Sequence, residues 1–135
     1  MIIARIESLV LGKSADDALE RALAYIEAGV DGIMIHSKST EGEDVCQVAK
    51  AIREKNKSIP LVAVPTAYHQ LTATALHQAG FNMIIYANHL LRSAYPAMME
   101  TAISILQHDR SLEAENSLIS VKELIRLIPA NYDQR

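Results

Sequence analysis

The sequence predicts a parallel α/β fold, and three observations predict it. First, short, mostly apolar runs alternate with amphipathic stretches: Met1–Ile6, Ile33–Ile35, Leu61–Val64 and Asn82–Tyr86 read as strands. Such runs suit strands covered on both faces, as in a parallel sheet. Second, Ala28-Gly29-Val30-Asp31-Gly32-Ile33-Met34-Ile35 is echoed by Ala79-Gly80-Phe81-Asn82-Met83-Ile84-Ile85. Each copy reads as helix end, glycine turn and buried strand. Third, polar residues gather where strands end: Arg5 and Glu7, His36 to Lys38, Thr66, and Asn88 with His89. Strand and helix repeated about four times imply right-handed crossovers. Four units make either an open flavodoxin-like sheet or a fragment of a (β/α)8 barrel, which takes roughly 250 residues. Polar strand ends favour the barrel, because there they meet around one mouth.

The elements follow in order. The first strand begins at Met1, and domains seldom open in mid-core, so a preceding segment is expected. Ser14 can cap the next helix, with Asp16 and Asp17 at its positive end. Ala18, Leu19, Ala22, Leu23 and Ile26 form that helix's apolar face. Gly29 stops it, since a left-handed turn there suits only glycine without steric penalty. The strand through Ile35 then delivers His36, Ser37 and Lys38 at its tip. Val45, Val48, Ala49 and Ile52 space a second helix, with Lys50, Arg53, Lys55 and Lys57 toward its negative end. Pro60 opens a third strand, a position proline tolerates. A short helix from Thr72 to Ala79 stops at Gly80, and the fourth strand follows. Leu91, Ala94, Met98, Ala102 and Ile105 line a long helix, and Pro96 predicts a kink or a helix start near it. Met98 and Met99 read as core or interface fillers. His108 to Asn116 is a polar linker. Ser120 and Glu123 have capping-box spacing for a last helix through Ile128, with a frayed tail from Pro129.

Composition excludes several classes. The 135 residues are half hydrophobic with a formal net charge of −3. That length allows one domain with one core. No basic stripe interleaved with aromatics points to nucleic acid. No apolar run approaches the length of a membrane span, and no signal-peptide layout is present. Cys46 is the only cysteine, so neither an internal disulfide nor a Cys-rich zinc site is possible, and a cytoplasmic setting is expected.

Arg5 is the most informative residue. A guanidinium in an apolar strand needs a carboxylate or an anionic ligand. Glu7, two residues on and on the same face, could be that carboxylate, which would make the pair purely structural. His36 alone would read as a strand-end histidine bonded to a carbonyl. Beside Ser37 and Lys38, and across a mouth from Arg5, it suits a phosphoryl or phosphonyl anion. Thr66 and Asn88 are weaker, since each could simply cap a helix. The remaining histidines, 69, 77, 89 and 108, lack metal-ligand spacing. There is no glycine-rich phosphate loop and no Gly-x-Ser-x-Gly elbow. Nor do clustered carboxylates stand at the strand ends to hold a divalent metal.

Together, Ile3-Ala4-Arg5-Ile6-Glu7, Met34-Ile35-His36-Ser37-Lys38, Val64-Pro65-Thr66, Tyr86-Ala87-Asn88-His89-Leu90-Leu91-Arg92 and Ser120-Val121-Lys122-Glu123 resemble the phosphoenolpyruvate mutase family, within the phosphoenolpyruvate mutase and isocitrate lyase superfamily. The resemblance runs along the whole chain but covers only the second half of a family member. It implies the second half of a (β/α)8 TIM barrel, residues 1–109, followed by a linker and helix over 110–135 that such enzymes often exchange between subunits. It implies interconversion of phosphoenolpyruvate and phosphonopyruvate, with Arg5 and His36 holding the phosphoryl group. Glu7, Ser37, Lys38, Thr66 and Asn88 take binding or supporting places. Mg²⁺ is implied, with its ligands in an N-terminal half, so this chain alone is expected to be inactive. The implied partners are a small phosphorylated or phosphonate substrate, the other half-barrel or a second copy, and a homo-oligomer, without nucleic acid or membrane. Phosphonopyruvate hydrolase is the alternative within the family. Carbon–carbon lyases are a further one, although they usually carry aspartate where Glu7 stands and lack the His-Ser-Lys run. Ala67 departs from the family, which often has a basic residue after Pro-Thr. A non-catalytic half-barrel that pairs with itself for assembly is the alternative of another class.

Overall fold

The computed structural model describes residues 1–127. The chain divides into two compact units, Met1–Asn88 and His89–Arg135. The first contains β1 (Ile3–Ile6), α1 (Ala15–Glu27), β2 (Gly32–Ile35), α2 (Glu43–Lys55), β3 (Leu61–Ala63), α3 (Ala73–Gln78) and β4 (Met83–Ile84). All three strand pairings are parallel, and the order is β1-β2-β3-β4. Each strand joins the one before it. An open doubly wound sheet would reverse direction partway, so the running order is that of a barrel.

Sequence accounts for the elements. The Ser14 side chain accepts from the Asp17 N–H and the Thr72 side chain from the Ala75 N–H, each capping its helix. Gly29 and Gly80 lie at φ +89° and +110°, which only glycine adopts freely. The internal echo is structural: Asp31 N–H donates to Ile2 O before β2, and Asn82 N–H donates to Leu61 O before β4. One sheet face carries Ile6, Ile33, Ile35, Leu61 and Ala63, all buried with Ala18, Ala22, Val45, Val48, Ala49 and Ile52 from the helices. By alternation the opposite face carries Arg5, Glu7, Met34 and His36. β4 is shorter than the expected Asn82–Tyr86, and Met83 and Tyr86 are exposed. Its one partner, β3, is itself three residues long, which limits the ladder.

Arg53 was expected merely to favour the end of α2. Instead it fastens the end of the sheet opposite the strand tips. It donates to Gly80 O from Nε (3.0 Å) and Nη2 (2.8 Å), to Ile59 O from Nη1 (2.7 Å), and to Asn82 Oδ1.

The second unit contains α4 (His89–His108), a short 3-10 turn (Glu115–Ser117) and α5 (Val121–Arg126). α4 starts at His89 and continues through Pro96, so the expected helix start near that proline is corrected. A proline inside a helix removes one hydrogen bond, which the turns on either side tolerate. No residue of α4 is buried, and Met98 and Met99 are exposed, so neither is a core filler. The predicted capping box of α5 forms, with the Ser120 side chain accepting from Glu123 N–H and the Glu123 side chain from Ser120 N–H. Ile128 and the tail from Pro129 lie outside the described residues. Among those described, no helix is long and apolar enough to cross a membrane.

Candidate active site

The parallel pairing of β1 and β2 brings the two most informative side chains together. Arg5 stands opposite Met34 in the register, and the ladder continues past the strand, where His36 N–H donates to Ile6 O at 3.2 Å. Arg5, Glu7 and His36 therefore share a face at adjacent strand ends. Arg5 Nε donates to Glu7 Oε1, and Arg5 Nη2 donates to His36 Nδ1 at 2.7 Å. His36 Nδ1 also stands 3.3 Å from Glu7 Oε2. The side chains of Arg5, Glu7 and His36 are 53, 37 and 28% exposed, so solvent and ligands can reach all three. Burial pushes the Glu7 carboxyl up, but the hydrogen bond and charge of Arg5 outweigh it and hold the group below its ordinary value of 4.5. The structural Arg5–Glu7 pair anticipated from the sequence forms, and His36 joins it.

The polar neighbours divide in role. Ser37 is buried and donates to Asp44 in the first turn of α2, while its oxygen accepts from Ser39 N–H at 3.0 Å. It anchors the loop that presents His36. Lys38 is exposed and forms no ion pair among the described residues. Thr66 is partly buried beyond β3, where its N–H donates to Val64 O at 2.8 Å. Asn88 is partly buried, and among the described residues no hydrogen bond reaches its buried Oδ1. Neither Thr66 nor Asn88 hydrogen-bonds to Arg5, Glu7 or His36.

Sequence reasoning missed a second anchor of the same design. Buried Ser8 donates to Asp17 Oδ2 at 2.6 Å, and Arg21 Nε donates to the same oxygen at 2.8 Å. Arg21 and Ser8 together hold the Asp17 carboxyl below its usual range. The loops after β1 and β2 are thus each tied by a buried serine to an aspartate in the first turn of the next helix. A serine two to three residues past an apolar strand, followed by an aspartate at the next helix start, is the available cue. A cleft of about 260 Å³ opens beside this anchor, lined by Arg5, Glu7, Ser8, Lys13, Asp17 and Arg21 among others, and His36 lies outside it.

The family model for phosphoenolpyruvate phosphomutase matches residues 1–106. The chain belongs to this family. It is 37% identical to the phosphoenolpyruvate phosphomutase of Tetrahymena pyriformis over 126 residues, which cover 93% of this chain and 41% of that protein. It is 39% identical to the phosphonopyruvate hydrolase of Variovorax sp. (strain Pal2) over 130 residues, covering 94 and 43%. The crystal structure of a phosphoenolpyruvate phosphomutase from Streptomyces platensis subsp. rosaceus superposes with a TM-score of 0.86 at 37% identity, covering 94% of this chain and 43% of that one. The chain spans about two fifths of the length of those relatives, as four strand-helix units of a (β/α)8 barrel.

Proposed function

We infer that this chain carries the phosphoryl-holding side of a phosphoenolpyruvate mutase-type active site. The observation that supports the reading is the 2.7 Å approach of the Arg5 guanidinium to the His36 imidazole at neighbouring strand ends. In the reaction the P–O bond of phosphoenolpyruvate breaks, the phosphoryl group moves, and a P–C bond forms at the methylene carbon of the pyruvate enolate. Positioning and charge stabilisation carry most phosphoryl transfers. Arg5 N–H groups and the outward His36 Nε2–H suit the phosphoryl oxygens. Glu7 is their counter-charge when no anion is bound. Ser37 steadies the loop behind His36, and Lys38, Thr66 and Asn88 are supporting candidates.

Mg²⁺, which the family resemblance implies for the pyruvyl enolate, has no group of three or more His, Cys, Asp or Glu side chains to hold it among the described residues. The role proposed for this chain is confined to the phosphoryl group. The proposed partner is a complementary half-barrel, from another segment or another copy, that closes the site within an oligomer.

Phosphorus NMR of phosphonopyruvate with the purified chain and Mg²⁺ tests the reading. Line broadening that Arg5→Gln removes is expected, with no new product. A phosphoenolpyruvate signal from this chain alone would overturn the half-site assignment, and an inorganic phosphate signal would favour the hydrolase. Absence of broadening would overturn the phosphoryl site.

A further inference from the structure

The contacts at His36 Nδ1 are mutually exclusive. A guanidinium only donates, so at 2.7 Å from Arg5 Nη2 the Nδ1 atom must accept. The ring is then neutral, with its proton on Nε2. In that state the 3.3 Å approach of Glu7 Oε2 sets acceptor against acceptor and is no hydrogen bond. If Arg5 turns away, the same approach becomes favourable once Nδ1 gains a proton. Arg5 is the side chain an incoming anion engages, and its side chain is exposed enough to move.

We propose that Glu7 is a positioning residue that couples anion binding at Arg5 to protonation of His36. This rests on the phosphoryl-site reading. As a phosphoryl dianion draws the guanidinium off Nδ1, one proton from solvent binds Nδ1 and stays there, and the new N–H donates a hydrogen bond to the Glu7 carboxylate at Oε2. The resulting imidazolium keeps its Nε2–H toward the anion. One anion and one proton enter together, and no other bond changes. The site then offers two positive charges to the ligand, while in the empty state Glu7 neutralises Arg5. The charged groups that contact His36 among the described residues are Arg5 and Glu7, both from the segment of β1, and Lys38 stands two positions along on its own segment.

Nitrogen-15 NMR of the His36 ring, with and without saturating inorganic phosphate, tests this in the intact 135-residue chain. Without phosphate, the neutral ring should carry its proton on Nε2 alone, because Nδ1 accepts from Arg5. With phosphate, the ratio of doubly protonated to neutral ring at a fixed pH should rise about tenfold or more, the size of effect a close opposite charge produces. Glu7→Gln should still bind phosphate, followed by backbone amide shifts in the same titration, but should lose at least about half of that rise. A purely structural role for Glu7 would leave the rise intact. Phosphate binding with that ratio unchanged, or an undiminished rise in Glu7→Gln, would overturn the coupling and leave the phosphoryl site standing. No phosphate binding at all would overturn both.

Discussion

Replacing Arg53 by alanine should destabilise the Met1–Asn88 unit without touching the strand-tip site. The guanidinium bonds the carbonyls of Gly80 and Ile59 and the side chain of Asn82, so it joins α2, the loop before β3 and the turn into β4. Hydrogen bonds from a charged donor contribute about 1.5–3 kcal/mol each. Arg53 is only partly buried and water can replace some of these bonds, so a total of about 3 kcal/mol is a fair discount of the sum. In a unit of this size each kcal/mol shifts Tm by about 4–8 °C, which gives a fall of roughly 12–24 °C. Urea unfolding followed by far-UV circular dichroism should show a lower midpoint with an unchanged slope, since the surface exposed on unfolding is the same. Arg53→Lys should recover about a third of the loss, because one ammonium cannot reach three acceptors in a fixed fork. Phosphate affinity measured at a temperature where the variant is folded should match the parent. A midpoint change worth less than about 0.5 kcal/mol, the scale of an ordinary surface substitution, would refute the reasoning.

Further outcomes follow from the same geometry. Ser37→Ala should lower stability by about 1–2 kcal/mol, because Asp44 then loses its donor, and denaturant unfolding reads this directly. Gly80→Ala should lower stability by about 1–3 kcal/mol, since φ there is +110° and an added Cβ would stand 2.8 Å from Arg53 Cγ. In the Arg53→Ala background, the steric part of that loss should disappear and the strain part remain. The Asp17 carboxyl is held low in the folded state, so the unfolded chain takes up its proton first as pH falls. Its contribution is therefore present above about pH 4 and lost in more acidic solution. Thermal melts from pH 6 to 2 should show a shallower acid limb for Asp17→Asn than for the parent.

Local physics made much of the fold legible. Ser14 and Ser120 announce helix starts by side-chain chemistry, and Gly29 and Gly80 announce stops by backbone freedom; these signals need no knowledge of the rest of the chain. Spacing alone also placed Val45, Val48, Ala49 and Ile52 in the core, where all four are fully buried. No helix starts at Pro96, because its lost hydrogen bond is one among many in a helix running from His89 to His108. Arg53 was invisible because two of its acceptors, on Gly80 and Asn82, lie 27 and 29 residues away, and only the folded sheet brings them near. The serine–aspartate anchors are local, nine and seven residues apart, and only the pairing of serine with helix-start aspartate would have revealed them. At the site, Arg5 and His36 could be named from residue type and strand position. The Nδ1 conflict between Arg5 and Glu7 depends on a separation of tenths of an ångström, which no sequence pattern encodes.

The phosphoryl assignment is tested most directly by a double-mutant cycle on inorganic phosphate binding, using Arg5→Gln, His36→Asn and the pair. Two heads on one anion predict that each single change weakens affinity about tenfold or more, which is ~1.4 kcal/mol. They also predict that the pair falls short of the summed losses by at least about 0.5 kcal/mol, as for residues that share a partner. Unchanged affinity in either single variant, or losses that simply add, would contradict it.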